Sequence, residues 1–156
     1  MITFEESFTK LLGHEGGYVN NPKDPGGETN WGISKRSYPN EDIKNLTQGR
    51  AKEIYYKDFW LPCHLDKLPT EVRFDLFDAA VNSGPEQAIK WLQEAVGVTQ
   101  DGAVGPITEK VCSILPGGII HARFNGVRLE FMTDLNTWAT FGKGWARRVA
   151  KNLQGV

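Results

Sequence analysis

The sequence predicts a mostly helical α+β protein, in which a short β-hairpin follows the first helix and a helical body comes after it. Two patterns predict this class. Apolar residues recur at helical spacing in several segments along the chain. Residues 16–34 are instead rich in Gly, Pro, Asn and Asp, which is the composition of tight turns. With 156 residues, the chain suits one compact domain or one domain with a small appended lobe.

The first helix is predicted to begin at Phe4 and to run to about His14. Thr3 and Glu6 have the spacing of a capping box. The apolar face of this helix comprises Phe4, Phe8, Leu11 and Leu12. Glu15 falls on the same face one turn later. A carboxyl group at the end of a buried stripe is partly desolvated, which favours its neutral, proton-carrying form.

The turn-rich segment is predicted to fold back as a hairpin that brings Asp24 and Thr29 over the end of the first helix. Trp31 and Ile33 alternate with small and polar residues, which allows a short strand. A carboxyl in an apolar environment, Glu15, and a second one in a solvated loop suit separate acid and base roles. The alternative is a Gly-Gly helix cap followed by an ordinary turn, with no catalytic pair.

The same stretch resembles a known family. Its runs Glu-Gly-Gly-Tyr-Val-Asn, Asp-Pro-Gly-Gly-Glu-Thr and Trp-Gly-Ile-Ser are similar to the N-terminal signature of glycoside hydrolase family 108 muramidases. These are phage endolysins and related bacterial enzymes with a lysozyme-like fold, and the resemblance implies that Glu15 is the catalytic acid. The spacing of Glu15, Asp24 and Thr29 also resembles the Glu/Asp/Thr triad of phage T4-type lysozymes, with a gap before the threonine that is one residue shorter.

The resemblance implies hydrolysis of the β-1,4 bond between N-acetylmuramic acid and N-acetylglucosamine in peptidoglycan, without a cofactor. We expect Glu15 to be the general acid, Asp24 to position or activate the water, and Thr29 to hold that water. A lysozyme-like site with a flexible loop between the carboxyls favours inversion and a carboxyl separation of about 6.5–9.5 Å. Tyr18 and Trp31 are candidate sugar contacts, although core packing is the default interpretation for Trp31.

Helical patterns account for the middle of the chain. Thr47 is predicted to cap a helix that Pro62 ends, and its face comprises Ala51, Ile54, Tyr55 and Phe59. A further helix follows Thr70, with a face that comprises Val72, Leu76, Phe77, Ala80 and Val81. Ser83 with Glu86 predicts a second capping box before a helix that Gly97 closes, with Pro85 in its first turn. The stripe of that helix comprises Ala88, Ile89, Leu92 and Val96. Asn82 is a candidate substrate contact at this corner, and a capped corner without a ligand is the alternative.

The run Asp-Gly…Gly-Pro-x-Thr at residues 101–108 resembles the turn and helix of small peptidoglycan-binding modules. From about Phe74 onward the chain is similar to the predicted peptidoglycan domain of family 108 proteins. We therefore predict a catalytic segment with the hairpin at 1–70 and a helical, peptidoglycan-domain-like segment at 71–156, packed into one body. Gly117 opens a long helix whose residues available for burial are Ile120, Phe124, Val127, Leu129, Phe131 and Leu135.

The tail at 143–156 is basic and amphipathic. Its cations are Lys143, Arg147, Arg148 and Lys151, opposite a stripe of Trp145, Val149 and Leu153. Such a segment either contacts anionic or outer-membrane lipid or packs as a terminal helix with solvated charges. A net charge of -1 provides no basic excess for phosphates, so nucleic acid is not an expected partner. We expect a monomer.

The N-terminal residues lack the basic and apolar regions of a signal peptide. We therefore expect synthesis in the host bacterial cytoplasm, and the resemblance implies release to the wall through a holin or membrane damage. Cys63 and Cys112 are too few for a disulfide framework and are expected to be free, with a single bridge left open. Cys-His-Leu-Asp at 63–66 matches no zinc pattern, so we expect no metal.

Three other functions compete with hydrolysis. A lytic transglycosylase would cleave the same bond with one glutamate and leave 1,6-anhydromuramic ends. A zinc amidase would need a ligand cluster, but the three histidines, His14, His64 and His121, are scattered along the chain. A non-catalytic wall-binding module would bind sacculi and be indifferent to Glu15→Ala.

Overall fold

The structure is a computed structural model that describes residues 2–13 and 17–155. Within these residues, seven α-helices accompany one three-stranded antiparallel sheet. The helices are α1 (Phe4–Leu12), α2 (Gln48–Tyr55), α3 (Thr70–Ser83), α4 (Pro85–Val96), α5 (Pro106–Ile114), α6 (Gly117–Thr133) and α7 (Trp138–Gln154). The strands are β1 (Val19–Asn20), β2 (Glu28–Asn30) and β3 (Ile33–Ser34). The predicted mostly helical α+β class is confirmed.

The chain divides into two compact units. The hairpin unit comprises Thr3–Asp58, and the helical unit comprises Ile2 and the chain from Phe59 onward. The predicted catalytic and peptidoglycan-domain-like segments, and their packing into one body, stay predictions. In the part of the chain that the structure describes, no helix has both the length and the apolarity that a membrane span requires.

Local capping signals define the helices of the hairpin unit. The capping box of α1 is present, because the Glu6 amide donates to Thr3 Oγ1 at 3.3 Å and the Thr3 amide donates to Glu6 Oε2 at 2.8 Å. The helix ends at Leu12 rather than at about His14, since Gly13 adopts a φ of 54° that L-residues rarely tolerate. Thr47 caps α2 as predicted, and its Oγ1 accepts from the Arg50 amide.

The predicted hairpin is one part of a three-stranded sheet with β2 at its centre. Thr29 pairs with Val19 on one side and with Ser34 on the other. Trp31 does not lie in a strand, contrary to the prediction, because Trp31 and Gly32 form the turn between β2 and β3. Their φ values are 52° and 75°, and positive φ at both central residues is what a two-residue type I′ hairpin turn requires.

In the helical unit, α3 packs against α4 and α6, and α6 packs against α7. The predicted second capping box is wrong: α3 continues through Ser83, and Gly84, at a φ of 86°, precedes α4 without a side-chain cap. Pro85 occupies the first turn of α4 as predicted. Burial also differs from the prediction for the long helix that Gly117 opens, since Phe131 and Leu135 are 42% and 38% exposed.

A buried charged cluster joins three helices of this unit. Asp78 on α3 accepts from Arg128 on α6 at 2.7 Å and from Arg148 on α7 at 2.8 Å. Burial opposes ionisation of Asp78, but the two guanidinium groups outweigh it and hold the pKa of Asp78 below its usual range. Arg148 contributes to this cluster while its side chain stays 44% exposed, so this cation is bonded to Asp78 and also solvated. Val149 is buried as the stripe predicts, whereas Leu153 is 47% exposed.

A second acidic residue, Asp75, lies one turn earlier on α3. Its Oδ2 lies 2.6 Å from His121 Nδ1 and accepts from the Asn125 amide at 2.7 Å. Burial raises the pKa of Asp75, and the nearby Asp78 carboxylate adds to the effect, while Asn125 and His121 oppose it. The two carboxylates are thus held in opposite electrostatic environments within one helix.

Candidate active site

The loop between β1 and β2 consists of two consecutive turns that share Asp24. In the first turn, Asn21 accepts the Lys23 amide on its side chain at 3.0 Å and the Asp24 amide on its carbonyl at 2.9 Å. In the second turn, Asp24 accepts from Gly26 on its side chain at 2.8 Å and from Gly27 on its carbonyl at 3.0 Å. A proline follows Asn21 and Asp24 in each case, which sets the backbone angle that such turns need.

These turns orient the Asp24 carboxylate. Its Oδ1 is engaged by the Gly26 amide, and no residue of 2–13 or 17–155 donates a hydrogen bond to its Oδ2. The side chain is exposed. A carboxylate held by one oxygen, with the other facing solvent, is able to orient a water molecule.

Thr29 lies on the open face of the sheet. Directly paired residues share a face, so Val19, Thr29 and Ser34 lie together on one side. The opposite side carries Asn30 and Ile33, which are 7% and 2% exposed and form the core side. Thr29 itself is half-buried.

The turn that holds Asp24 adjoins the same open face. A Cβ placed on Gly26 would lie 3.2 Å from Asp24 Oδ1 and 3.8 Å from Ser34 Cβ, and Ser34 pairs directly with Thr29. The turn closed by Asp24 and the Thr29 side chain therefore adjoin the same side of the sheet. Their predicted position over the end of the first helix stays a prediction. Their catalytic roles stay predictions.

Tyr18 and Trp31, the two predicted sugar contacts, are both anchored by hydrogen bonds. The Tyr18 hydroxyl donates to Glu28 Oε1 at 2.8 Å, and this bond raises the pKa of Tyr18. The ring is 38% exposed. Trp31 is half-buried, and its indole Nε1 donates to the Leu46 carbonyl at 2.9 Å. Neither residue is wholly buried, and the predicted sugar contacts of both stay predictions.

The two remaining predicted site residues, Glu15 and Asn82, are not among the described residues of the hairpin unit. Glu15, the predicted acid, lies outside the described residues. Asn82 lies at the end of α3 in the helical unit, where its amide donates to the carbonyl of Asp78 at 2.7 Å and to its Oδ1 at 3.2 Å. The Asn82 side chain is exposed, and its amide is bonded within its own helix. Its contact with substrate stays a prediction.

The motif at residues 101–108 is organised around Gln93 of α4. The Gln93 amide nitrogen donates to Asp101 Oδ1 at 2.7 Å, to the Ala103 carbonyl at 3.0 Å and to Thr108 Oγ1 at 3.2 Å. The Gly102 amide donates back to Gln93 Oε1 at 2.9 Å. These polar groups are used within the fold, so the motif has a structural explanation that needs no wall polymer.

The segment at 63–66, where no metal site is expected, also makes contacts within the helical unit. His64 Nδ1 lies 2.8 Å from Glu109 Oε1 on α5. Across residues 2–13 and 17–155, no three His, Cys, Asp or Glu side chains form a metal-binding group. Cys63 and Cys112 are buried free thiols, and burial raises their pKa values to about 12 and about 11.

Sequence reasoning missed several residues that shape the site. Ser34 and Glu28 are identified only by strand register, which no local pattern reveals. Tyr55 was assigned to an apolar face, yet its hydroxyl donates to the Trp31 carbonyl at 3.1 Å. Outside the site, Asp75 and Asp78 of the helical unit did have a signal in the sequence, because two carboxylates inside an apolar helix pattern require partners.

Comparison with known proteins identifies the class of this protein. The family model Glycosyl hydrolase 108 matches residues 8–84, which include the hairpin unit's sheet and the turns that hold Asp24. The solved structure of Brucella abortus SagA is similar, with a TM-score of 0.86 and 36% sequence identity over 97% of this chain and 91% of that chain. A comparison with curated proteins gave no match.

The chain belongs to the glycosyl hydrolase 108 family. It is therefore a glycoside hydrolase, and its family is one of peptidoglycan-hydrolysing glycosidases.

Proposed function

We propose that this protein is a muramidase that hydrolyses the β-1,4 bond between N-acetylmuramic acid and N-acetylglucosamine in peptidoglycan. The family supports the substrate class. The observation that carries the proposal is the convergence of the Asp24 turn and Thr29 on one open sheet face, with Asp24 Oδ2 directed to solvent. A site of this kind suits water activation opposite an acid.

The proposed roles follow the chemistry of glycoside hydrolysis. Glu15 protonates the leaving oxygen, Asp24 positions or activates the water, and Thr29 holds that water through its hydroxyl. Attack by water on the face opposite the leaving group inverts the anomeric configuration, and this needs about 6.5–9.5 Å between the two carboxyls. Tyr18 and Trp31 contribute ring surfaces for neighbouring sugars.

The first test is the lysis of permeabilised Gram-negative sacculi, followed by mass spectrometry of the fragments. We expect wild type to lyse them and to leave reducing muramic ends, and we expect Glu15→Gln to abolish lysis. Glu53→Gln is the matched control, because Glu53 is an exposed glutamate of the same unit whose partner Arg50 is also exposed. Undiminished lysis by Glu15→Gln would refute the assignment of the acid.

The second test concerns Asp24. Asp24→Asn should lower the rate strongly, since an amide is a poor base, whereas Glu53→Gln on the exposed face of α2 should not. Anomeric NMR of the first product then reports inversion or retention. Anhydromuramic ends would instead establish a lytic transglycosylase, and sacculus binding that is unaffected by Glu15→Ala, without lysis, would establish a wall-binding module.

We also propose an endolysin role, with synthesis in the host cytoplasm and release to the wall through a holin or membrane damage. The tail at 143–156 is proposed to contact anionic lipid, supported by its exposed cations Lys143, Arg147 and Lys151. Wild type and a variant with Gln at these three positions should then differ in binding to anionic vesicles. Equal binding would refute the lipid contact.

A further inference from the structure

The turn between β2 and β3 holds a tryptophan in an unfavourable backbone conformation. Trp31 has a φ of 52°, and the left-handed region is unfavourable for an L-residue because its Cβ crowds the backbone carbonyl. Asn, Asp and Gly are the residues that usually occupy this position in a type I′ turn. A bulky aromatic there persists only when its surroundings determine its conformation.

Hydrogen bonds made by Trp31 and its neighbours hold Trp31 in this backbone conformation. The indole Nε1 of Trp31 donates to the Leu46 carbonyl at 2.9 Å, while the Tyr55 hydroxyl donates to the Trp31 carbonyl at 3.1 Å. Asn30, directly before the turn, is buried and donates to the Ile43 carbonyl at 3.0 Å. The turn is thus held from the 43–46 loop and from α2.

Tyr55 connects this turn to α1. Its ring packs edge-on against Phe8 of α1, with ring centroids 5.5 Å apart. A Cβ added to Gly32 would overlap the Tyr55 hydroxyl oxygen and would lie 3.8 Å from Leu12 Cδ2, at the end of α1. One tyrosine therefore contacts both the helix that precedes Glu15 and the turn that follows Thr29.

We infer that Tyr55 is a positioning residue for the proposed glycoside cleavage, which holds the β2–β3 hairpin, and Thr29 within it, at a fixed distance from the end of α1. This inference rests on the proposed function. Tyr55 does not reach the sugar in this scheme. It acts through the Trp31 carbonyl, and its loss leaves the acid and the water-holding residues present but less well aligned.

The hydroxyl of Tyr55 is suited to this task at any working pH. Burial raises the pKa of Tyr55 to about 12, so the group remains a donor throughout the neutral range. Because the hydroxyl stays protonated, it holds the turn without adding a pH-dependent step to the reaction. The pH profile of the reaction should therefore be the same in wild type and Tyr55→Phe, although the rates differ.

The kinetic test compares Tyr55→Phe with Tyr38→Phe on soluble, un-cross-linked peptidoglycan strands. Tyr55→Phe keeps the ring on Phe8 and removes only the hydroxyl, so we expect kcat to fall about tenfold with KM within twofold of wild type. Tyr38 is the matched control, because its half-buried hydroxyl donates to Asp58 Oδ2 at 2.9 Å in the same unit. Its loss should leave kcat within twofold.

A double-mutant cycle tests the geometry without relying on turnover. Gly32→Ala should lower the denaturation midpoint more in wild type than in Tyr55→Phe, because the added methyl overlaps the hydroxyl only when the hydroxyl is present. Without it, the nearest atoms are the ring Cζ at 3.7 Å and Leu12 Cδ2 at 3.8 Å, which are ordinary contacts. Equal effects of Gly32→Ala in the two backgrounds would overturn the inferred contact.

The outcomes separate this inference from the function on which it rests. If Glu15→Gln is inactive while Tyr55→Phe and Tyr38→Phe have equal kcat, the inference fails and the proposed function stands. A rise in KM without a fall in kcat would also overturn it, since that result indicates a binding role. If wild type cleaves no glycan, the proposed function and the inference fail together.

Discussion

Replacing Asp78 by Asn should destabilise the helical unit by about 3–5 kcal/mol at neutral pH. Asn has nearly the same shape, so the substitution leaves no cavity, but it removes the negative charge and replaces one acceptor oxygen by an amide donor. The Arg128 side chain is 3% exposed and would remain as a buried cation without its carboxylate, whereas Arg148, at 44%, can turn to solvent. Most of the loss therefore comes from Arg128.

The expected loss is large enough for thermal unfolding to measure. For 156 residues the unfolding entropy is about 0.33 kcal/mol/K, so each kcal/mol lowers Tm by about 3 °C. Asp78→Asn should then lower Tm by roughly 9–15 °C when unfolding is followed by circular dichroism. Glu86→Gln is the matched control, because the Glu86–Lys90 pair is exposed and solvent screening leaves it little effect on stability.

The dependence on pH tests the same reasoning. The pKa of Asp78 is lower in the folded state than in the unfolded chain, so its charge stabilises the fold fully above the ordinary carboxyl value of about 3.9. That stabilisation is lost as the pH falls through the folded-state pKa. The difference in free energy of unfolding between wild type and Asp78→Asn should stay constant from about pH 7 to 5. It should decrease below about pH 4. A difference in free energy of unfolding under about 1 kcal/mol at pH 7, or a difference that grows as the pH falls, would refute this reasoning.

Two further predictions concern buried polar groups of the helical unit. Gln93→Ala should cost about 1–3 kcal/mol in urea denaturation, because the 101–108 loop loses its central hydrogen bonds, while Gln87→Ala should cost little. Equal losses in the two variants would contradict this role of Gln93. Cys63 and Cys112 should react with a thiol reagent at neutral pH only after denaturant is added, because burial keeps both thiols inaccessible and protonated. Rapid labelling of the native protein would contradict this expectation.

Features determined by neighbouring residues were predictable from the sequence. Thr3 and Thr47 cap their helices because the hydroxyl and the amide that it meets are three residues apart. The turn-rich composition of residues 16–34 likewise predicted where the sheet would form. Ser83 failed as a cap although its spacing was correct, because the chain continued the helix through it and bent at Gly84 instead.

Features that depend on distant residues were not predictable in this way. The partner of Asp78 is Arg128, fifty residues later, and no periodicity in α3 identifies it. Trp31 alternates with its neighbours like a strand residue, yet its indole donates to the Leu46 carbonyl and its carbonyl accepts from the Tyr55 hydroxyl, which fixes it in a turn. Tertiary contacts therefore override the local preference at the position that shapes the site.

The two proline-containing turns around Asp24 have a consequence for the thermodynamics of substrate binding. Pro22 and Pro25 restrict the backbone in the free protein, and the hydrogen bonds that the Asn21 and Asp24 side chains accept from backbone amides complete the loop's shape. Association then orders few additional torsions, so the entropic penalty that flexible loops add to recognition is small here. Under the proposed function, the loop that carries Asp24 is a preorganised surface for the glycan, and its closure is not expected to limit turnover.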